Sequence, residues 1–156
     1  MQAQATSNIL MIRPVRFGFN EQTAESNAFQ NSQLAEKNKE IIISKSYFAT
    51  FEMTHFLLTE NTKIQKNKYN IPEPTNGLKV PVEKIEVVFV PLLAFDTNGN
   101  RVGYGKGFYD TFLSKCNPKT IKIGLSFFEA EVAIDGVFET DVPLNYCVTP
   151  KMIYKF

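Results

Sequence analysis

The sequence predicts an α/β domain: a layered fold with a largely parallel sheet flanked by helices. Three observations carry that expectation. Short apolar runs at Glu40–Ser44, Ile85–Val90, Ile121–Ser126 and Tyr146–Thr149 are separated by longer crossings, the alternation that parallel strands with crossover connections produce. The chain has 156 residues, 44% hydrophobic and 21% charged, which suits one domain around one core rather than a disordered chain. A glycine-rich segment follows closely on the strongest apolar run, at the carboxyl end of a strand, where ligands collect in open α/β sheets.

The elements follow in order. Residues 1–38 are set apart as an atypical, poorly packed N-terminal segment, and residues 39–156 form the α/β domain. Asn, Gln, Ser and Ala dominate the first part, with one apolar knot at Ile9–Ile12. Glu21–Leu34 has helical spacing, but its apolar stripe is only Ala24, Ala28, Phe29 and Leu34, too thin to bury much area. Ile41, Ile42 and Ile43 run together, which predicts a strand buried on both faces. Phe48–Thr59 is rich in aromatics and fits a helix or a strand. Asn61–Asn76, with Pro72 and Pro74, reads as a loop with short extended pieces. Ile85–Val90 is the clearest strand, Pro91–Asn100 a loop, and Tyr109–Lys115 a helix with Phe112 and Leu113 facing inward. Ile121–Ser126 is a further buried strand, and Tyr146–Thr149 a short last one stopped by Pro150.

Composition narrows the function. The net charge is +1, so no broad basic field argues for nucleic acid. No apolar run reaches the roughly 18 residues that span a bilayer, and the start, MQAQATSNILMIRP, lacks the basic n-region of a signal peptide. Cys116 and Cys147 have no CxxC spacing and are expected as reduced thiols. A cytoplasmic monomer acting on small molecules is the expectation, without nucleic-acid or membrane partners.

The informative stretch is Asp96–Asp110, DTNGNRVGYGKGFYD. Gly99, Gly103, Gly105 and Gly107 lie within nine residues, with Arg101 and Lys106 between them. Glycines let successive N–H groups converge into an anion nest. Arg can grip two phosphate oxygens in a fork and Lys acts as a mobile point charge. A helix start near Phe108 favours an anion as well, and Asp110 could offer an oxygen to Mg2+. The bland alternative is a tight turn between strand and helix. GxxxxGK[ST] is absent, so this is not a Walker A loop, and the dinucleotide fingerprint is not satisfied either.

The longer segment VPLLAFDTNGNRVGYGKGFYDTFL resembles the signature of the 5-formyltetrahydrofolate cyclo-ligase (methenyltetrahydrofolate synthetase) family. Val90, Pro91, Ala94, Phe95 and Asp96 match its opening. Gly99, Arg101, Gly103, Gly105, Gly107, Tyr109, Asp110 and Leu113 match the remainder. Val102, Phe108 and Thr111 depart from it. Similarity in order extends over about residues 39–151, through FEMTHF, NIPEP, IGLSFF and DVPL. The resemblance implies a NagB/RpiA/CoA transferase-like layered fold, here expected in N-terminally truncated form. It also implies ATP-dependent conversion of 5-formyltetrahydrofolate to 5,10-methenyltetrahydrofolate, with release of ADP and phosphate and with Mg2+ as cofactor. Arg101 and Lys106 become the catalytic candidates, neutralising polyphosphate. Arg101, Val102, Gly103, Tyr104, Gly105, Lys106, Gly107, Phe108 and Tyr109 become the ATP-binding set. Asp110 and Asp141 become the metal candidates, Asp141 being equally a turn or cap residue. Phe51 and Met53 are candidates for a folate pocket or for core packing. Tyr109 flanks the nucleotide, flanks the folate, or packs in the core.

The basic residues of the family's first helix and the Glu that contacts folate have no counterpart in the chain, and residues 8–30 instead resemble the opening of an arginine deiminase or amidinotransferase-type protein. Citrulline or arginine chemistry is not supported, because the Cys and His it needs are not placed for it. Two functional classes stand: a cyclo-ligase, intact or impaired, and a non-catalytic remnant that binds nucleotide without turnover. His55, the single histidine, is either catalytic or, more ordinarily, a packed and hydrogen-bonded residue.

Overall fold

A computed structural model describes residues 40–156. The helix expected at Glu21–Leu34 lies outside the described residues. The elements are β1 (Ile42–Tyr47), β2 (Glu52–Leu57), β3 (Ile64–Lys66), β4 (Pro72–Pro74), a 3-10 turn (Val82–Lys84) and β5 (Val87–Val90). They continue as β6 (Ala94–Phe95), β7 (Arg101–Val102), α1 (Phe108–Leu113), β8 (Ile121–Leu125), β9 (Tyr146–Val148) and β10 (Ile153–Lys155).

The central sheet has the order β10-β9-β8-β5. β5 runs parallel to β8, β8 parallel to β9, and β10 closes the edge antiparallel. A parallel sheet with one antiparallel edge is an α/β arrangement, and the described residues place one short α-helix against it. The period-2 pattern of β5 explains its role: Val88 and Val90 point into the core, while Val87 and Phe89 point out. Val88 and Val90 pack with Ile85, Phe95, Phe112, Leu113, Leu144 and Cys147 in one continuous cluster. Phe112 and Leu113 face inward as expected, but α1 spans Phe108–Leu113 rather than reaching Lys115. Both thiols are free, and burial pushes Cys147 up to about 11.

Two elements differ from expectation, and a third, left open between helix and strand, is decided. The isoleucine run does not form a strand buried on both faces: Ile41 is 38% exposed and Ile43 8%. β1 pairs antiparallel with β2 alone, with Ile43 opposite Phe56 and Ser44 opposite His55. An antiparallel hairpin set apart from the main sheet need cover only one of its faces. The same pairing makes the FEMTHF segment a strand. Finally, Pro150 does not end the sheet. The Thr149 amide and hydroxyl both donate to the Met152 carbonyl, at 2.9 and 3.1 Å. The tight turn so made contains Pro150 and returns the chain as β10.

Candidate functional site

The site is built on the chain that leaves β5. Asp96 organises its first turn. The residue is 1% exposed, and its carboxylate accepts the Asn98 and Asn100 amides and the Asn100 side chain, each at 2.9 Å, and the Ile134 amide at 3.2 Å. Burial works to raise its pKa, but the donors of Asn100, Asn98 and Ile134 together outweigh it and hold the carboxyl below the usual 3.8. This turn brings β7 back against β6, with Phe95 opposite Arg101.

Arg101 is thereby directed at α1. Its side chain is 6% exposed and its Nη2 donates to Asp110 Oδ1 at 2.7 Å. Nη1 donates to the Val142 carbonyl, and the Val142 amide donates to the same Asp110 oxygen at 3.1 Å. Arg101, Asp110 and Val142 thus form a closed ring of hydrogen bonds. It fixes the end of β7, the first turn of α1 and the DVPL segment relative to one another.

Between the two fixed ends the chain swings outward. Gly103, Tyr104, Gly105, Lys106 and Gly107 are all exposed. Gly105 and Gly107 hold φ of +70° and +67°, and among the described residues nothing beyond the adjoining chain lies within 4 Å of the place a Cβ would take at either. Left-handed turns free of side chains are the backbone from which anion nests are made. Lys106 takes part in none of the three ion pairs among the described residues. Of the two cations in the motif, then, Lys106 faces solvent and Arg101 is bonded within the protein. With only six residues in α1, the helix dipole is weak, and any anion at this loop would depend on its amides and Lys106.

Asp141 closes a turn: its Oδ2 accepts the Phe138 amide at 2.9 Å, and its own amide donates to the Phe138 carbonyl at 3.0 Å. Its neighbour Val142 bonds Asp110, so the two carboxylates come from adjoining backbone. Among the described residues no three His, Cys, Asp or Glu side chains are grouped as a metal cage. Mg2+ ordinarily takes one or two carboxylates and fills its remaining positions with phosphate oxygens and water, so a three-carboxylate cage is not what it requires. The bonds that Asp110 makes among the described residues all fall on Oδ1.

A groove of about 400 Å3 lies between the β1–β2 hairpin and α1, with Phe51 and Met53 in its wall. Phe51 holds φ +56° at the hairpin turn, an uncommon conformation for an aromatic residue. The Phe108 ring, the first of α1, packs 5.6 Å from the Phe51 ring and 5.2 Å from Phe48, so the groove adjoins the glycine-rich loop. Tyr109 is not in the groove wall. Burial pushes its phenol up to about 12, against the opposing pull of the Arg101 charge, and its ring meets Phe112 edge-on at 6.3 Å.

The groove also contains residues that the sequence did not assign to a site. Thr111, Phe112 and Lys115 come from α1 and its C-terminal extension. Thr111 and Lys115 are four apart, a spacing that puts both on one helical face. Glu52 and Lys115 approach to 3.6 Å at its rim, an exposed pair that adds little stability. His55 also lines it, 3% exposed, with Nδ1 2.9 Å from Ser44 Oγ and its ring 4.3 Å from that of Phe112. Its partner Ser44 becomes visible only once the β1–β2 register is known.

Residues 19–150 match the model of the 5-formyltetrahydrofolate cyclo-ligase family, and the chain belongs to that family. The match begins about 20 residues before the Lys39 boundary expected from the motifs. It therefore takes in part of the segment likened to arginine deiminases. The 5-formyltetrahydrofolate cyclo-ligase of Haemophilus influenzae is 35% identical over 97 residues, covering 58% of this chain and 52% of the relative. That of Escherichia coli K12 is 33% identical over 98 residues, covering 61% and 54%. The solved 5,10-methenyltetrahydrofolate synthetase of Aquifex aeolicus superposes with a TM-score of 0.62 at 28% identity, over 80% of this chain and 63% of that one. The chain spans about half the length of the curated relatives it matches. No helix among the described residues is long and apolar enough to cross a membrane.

Proposed function

We propose that the chain carries the nucleotide-binding half of a cyclo-ligase site, acting on 5-formyltetrahydrofolate with ATP to give 5,10-methenyltetrahydrofolate, ADP and phosphate. The observation that carries this is the solvent-facing arc of Gly103–Gly107, with Lys106 in it and both ends braced. The loop amides and Lys106 bind the polyphosphate, and Tyr104 and Phe108 flank it. Arg101 and Val102 hold the base of the loop, and Arg101 acts through Asp110. Tyr109 packs beneath, on the nucleotide side. Phe51 and Met53 offer a flat, polarisable wall to the pterin. Asp110 and Asp141 would hold Mg2+, which when bound supplies positive charge beside the transferring phosphoryl group. The fold that goes with this reading is the NagB/RpiA/CoA transferase-like layer arrangement.

Phosphoryl transfer needs positioning and charge neutralisation more than a protein nucleophile, which fits a site whose cysteines are a buried Cys147 and a half-buried Cys116. The formyl oxygen of the substrate attacks the γ-phosphorus and the bond to ADP breaks. The ring nitrogen then adds to the activated carbon, and phosphate departs with the formyl oxygen. A second reading, nucleotide binding without turnover, is favoured by one observation. Arg101, the cation best shaped to grip a transferring phosphoryl group, is committed to Asp110 and Val142. The test is the rise in methenyltetrahydrofolate absorbance on mixing the chain with 5-formyltetrahydrofolate and Mg-ATP. Turnover supports the enzyme. Binding of ATP without product supports the second reading, and neither result overturns both.

A further inference from the structure

His55 lines the groove and holds an uncommitted, buried polar atom. The residue is 3% exposed, and burial lowers its pKa, which favours the neutral imidazole. Nδ1 faces Ser44 Oγ at 2.9 Å across the β1–β2 register. The ring lies 4.3 Å from Phe112 at a 34° tilt, which fixes its plane. Nε2 lies on the other side of the ring from that tether. It is buried and has no hydrogen-bond partner among the described residues. A buried polar atom left without a partner costs about 1–3 kcal/mol, and such atoms in native proteins commonly have a role. Both His55 and Phe112 belong to the groove wall, together with Phe51 and Met53. Lys115 at the rim offers a positive charge to an anionic tail, held only by an exposed pair with Glu52.

We infer that His55 is a specificity-determining residue: its Nε2 hydrogen-bonds the polar edge of a flat heterocycle bound in the groove between the β1–β2 hairpin and α1. This rests on the cyclo-ligase reading, under which that heterocycle is the pterin of the reduced folate and Lys115 meets its glutamyl carboxylates. The groove walls supply apolar faces for the ring system. The imidazole supplies the one directional contact, and the Ser44 hydroxyl, which can donate to or accept from Nδ1, holds it in either tautomer. A flat apolar ring without polar edge atoms would leave Nε2 unpaired and bind less well.

The test exploits the fact that the chain has a single histidine, so its imidazole signals need no assignment. With 15N-labelled wild-type protein, 5-formyltetrahydrofolate is titrated while the imidazole nitrogens are followed through their carbon-bound protons. The inference predicts a saturable shift of Nε2 much larger than that of Nδ1. In parallel, His55→Phe keeps the packing on Phe112 and removes the nitrogen. It should weaken 5-formyltetrahydrofolate binding about tenfold and leave Mg-ATP affinity unchanged, with His55→Gln recovering part of the loss. Saturable folate binding with Nε2 unmoved overturns the assignment alone. A wild-type chain that binds no 5-formyltetrahydrofolate overturns the cyclo-ligase reading and this assignment with it. The nitrogen titration needs no variant, so a His55→Phe chain that fails to fold does not weaken the test.

Discussion

Arg101 Nη2 donates to Asp110 Oδ1 at 2.7 Å, and the same carboxylate oxygen accepts the amide of Val142, 32 residues further along the chain. One carboxylate therefore ties the strand before the glycine-rich loop to the helix after it and to the DVPL segment. The Arg101 side chain is 6% exposed, so removal of its partner leaves a shielded charge uncompensated.

Asp110→Ala should for that reason destabilise the fold by about 3 kcal/mol, with Asp110→Asn costing less because it can still accept from Val142. Urea unfolding midpoints at constant m-value measure both. A midpoint for Asp110→Ala equal to that of wild type would show that the ring of bonds carries no stability.

Lys106→Ala should behave in the opposite way. Lys106 is exposed and unpaired among the described residues, so its removal should leave stability within about 0.5 kcal/mol. Mg-ATP binding should weaken by about 1.5–3 kcal/mol, the worth of a charge-assisted contact. Calorimetric titration decides, and an unchanged affinity would take Lys106 out of the site.

Gly99→Ala should destabilise the loop base. Gly99 holds φ +84°, and a Cβ there would lie 2.8 Å from Phe156 Cγ and 3.1 Å from the Leu144 carbonyl oxygen. The left-handed backbone alone costs about 1–2 kcal/mol for an L side chain, and the contacts add to it. A thermal midpoint within a degree of wild type would contradict this.

Asp96 should make the fold acid-sensitive. Its folded pKa is lowered below the ordinary 3.8 by the donors of Asn100, Asn98 and Ile134, working against burial. The unfolded chain therefore takes up the proton first as pH falls. The stability that Asp96 contributes is full above about 3.8 and is lost as pH falls through the lower folded value. Asp96→Asn should flatten the pH dependence of the unfolding free energy in that window. A slope as steep as that of wild type would place the effect elsewhere.

Much of this was legible in the sequence because it is local. The apolar run IEVVFV marked β5, and the motif put Gly103, Gly105, Lys106 and Gly107 together just ahead of the helix that carries Asp110. What escaped depends on pairing between distant segments. The hairpin partner of Ile41–Ile43 is set by register with Phe56 and its neighbours, not by the apolar run itself. The commitment of Arg101 depends on Val142, 41 residues away, and no local spacing reveals it. The orphaned Nε2 of His55 depends on Ser44 and Phe112 converging on one ring. Pro150 looked like a terminator because the return of β10 rests on Thr149 hydrogen bonds that close a turn.

The arc from Gly103 to Gly107 is proposed to cradle a triphosphate. Backbone amide shifts of the 15N-labelled chain, followed on titration with Mg-ATP, test it most directly. Saturable shifts are expected to concentrate at residues 103–108, with smaller ones at Asp110 and Asp141, and little change in β8 and β9. Saturable binding whose shifts lie away from the loop, or no binding at millimolar Mg-ATP, would contradict it.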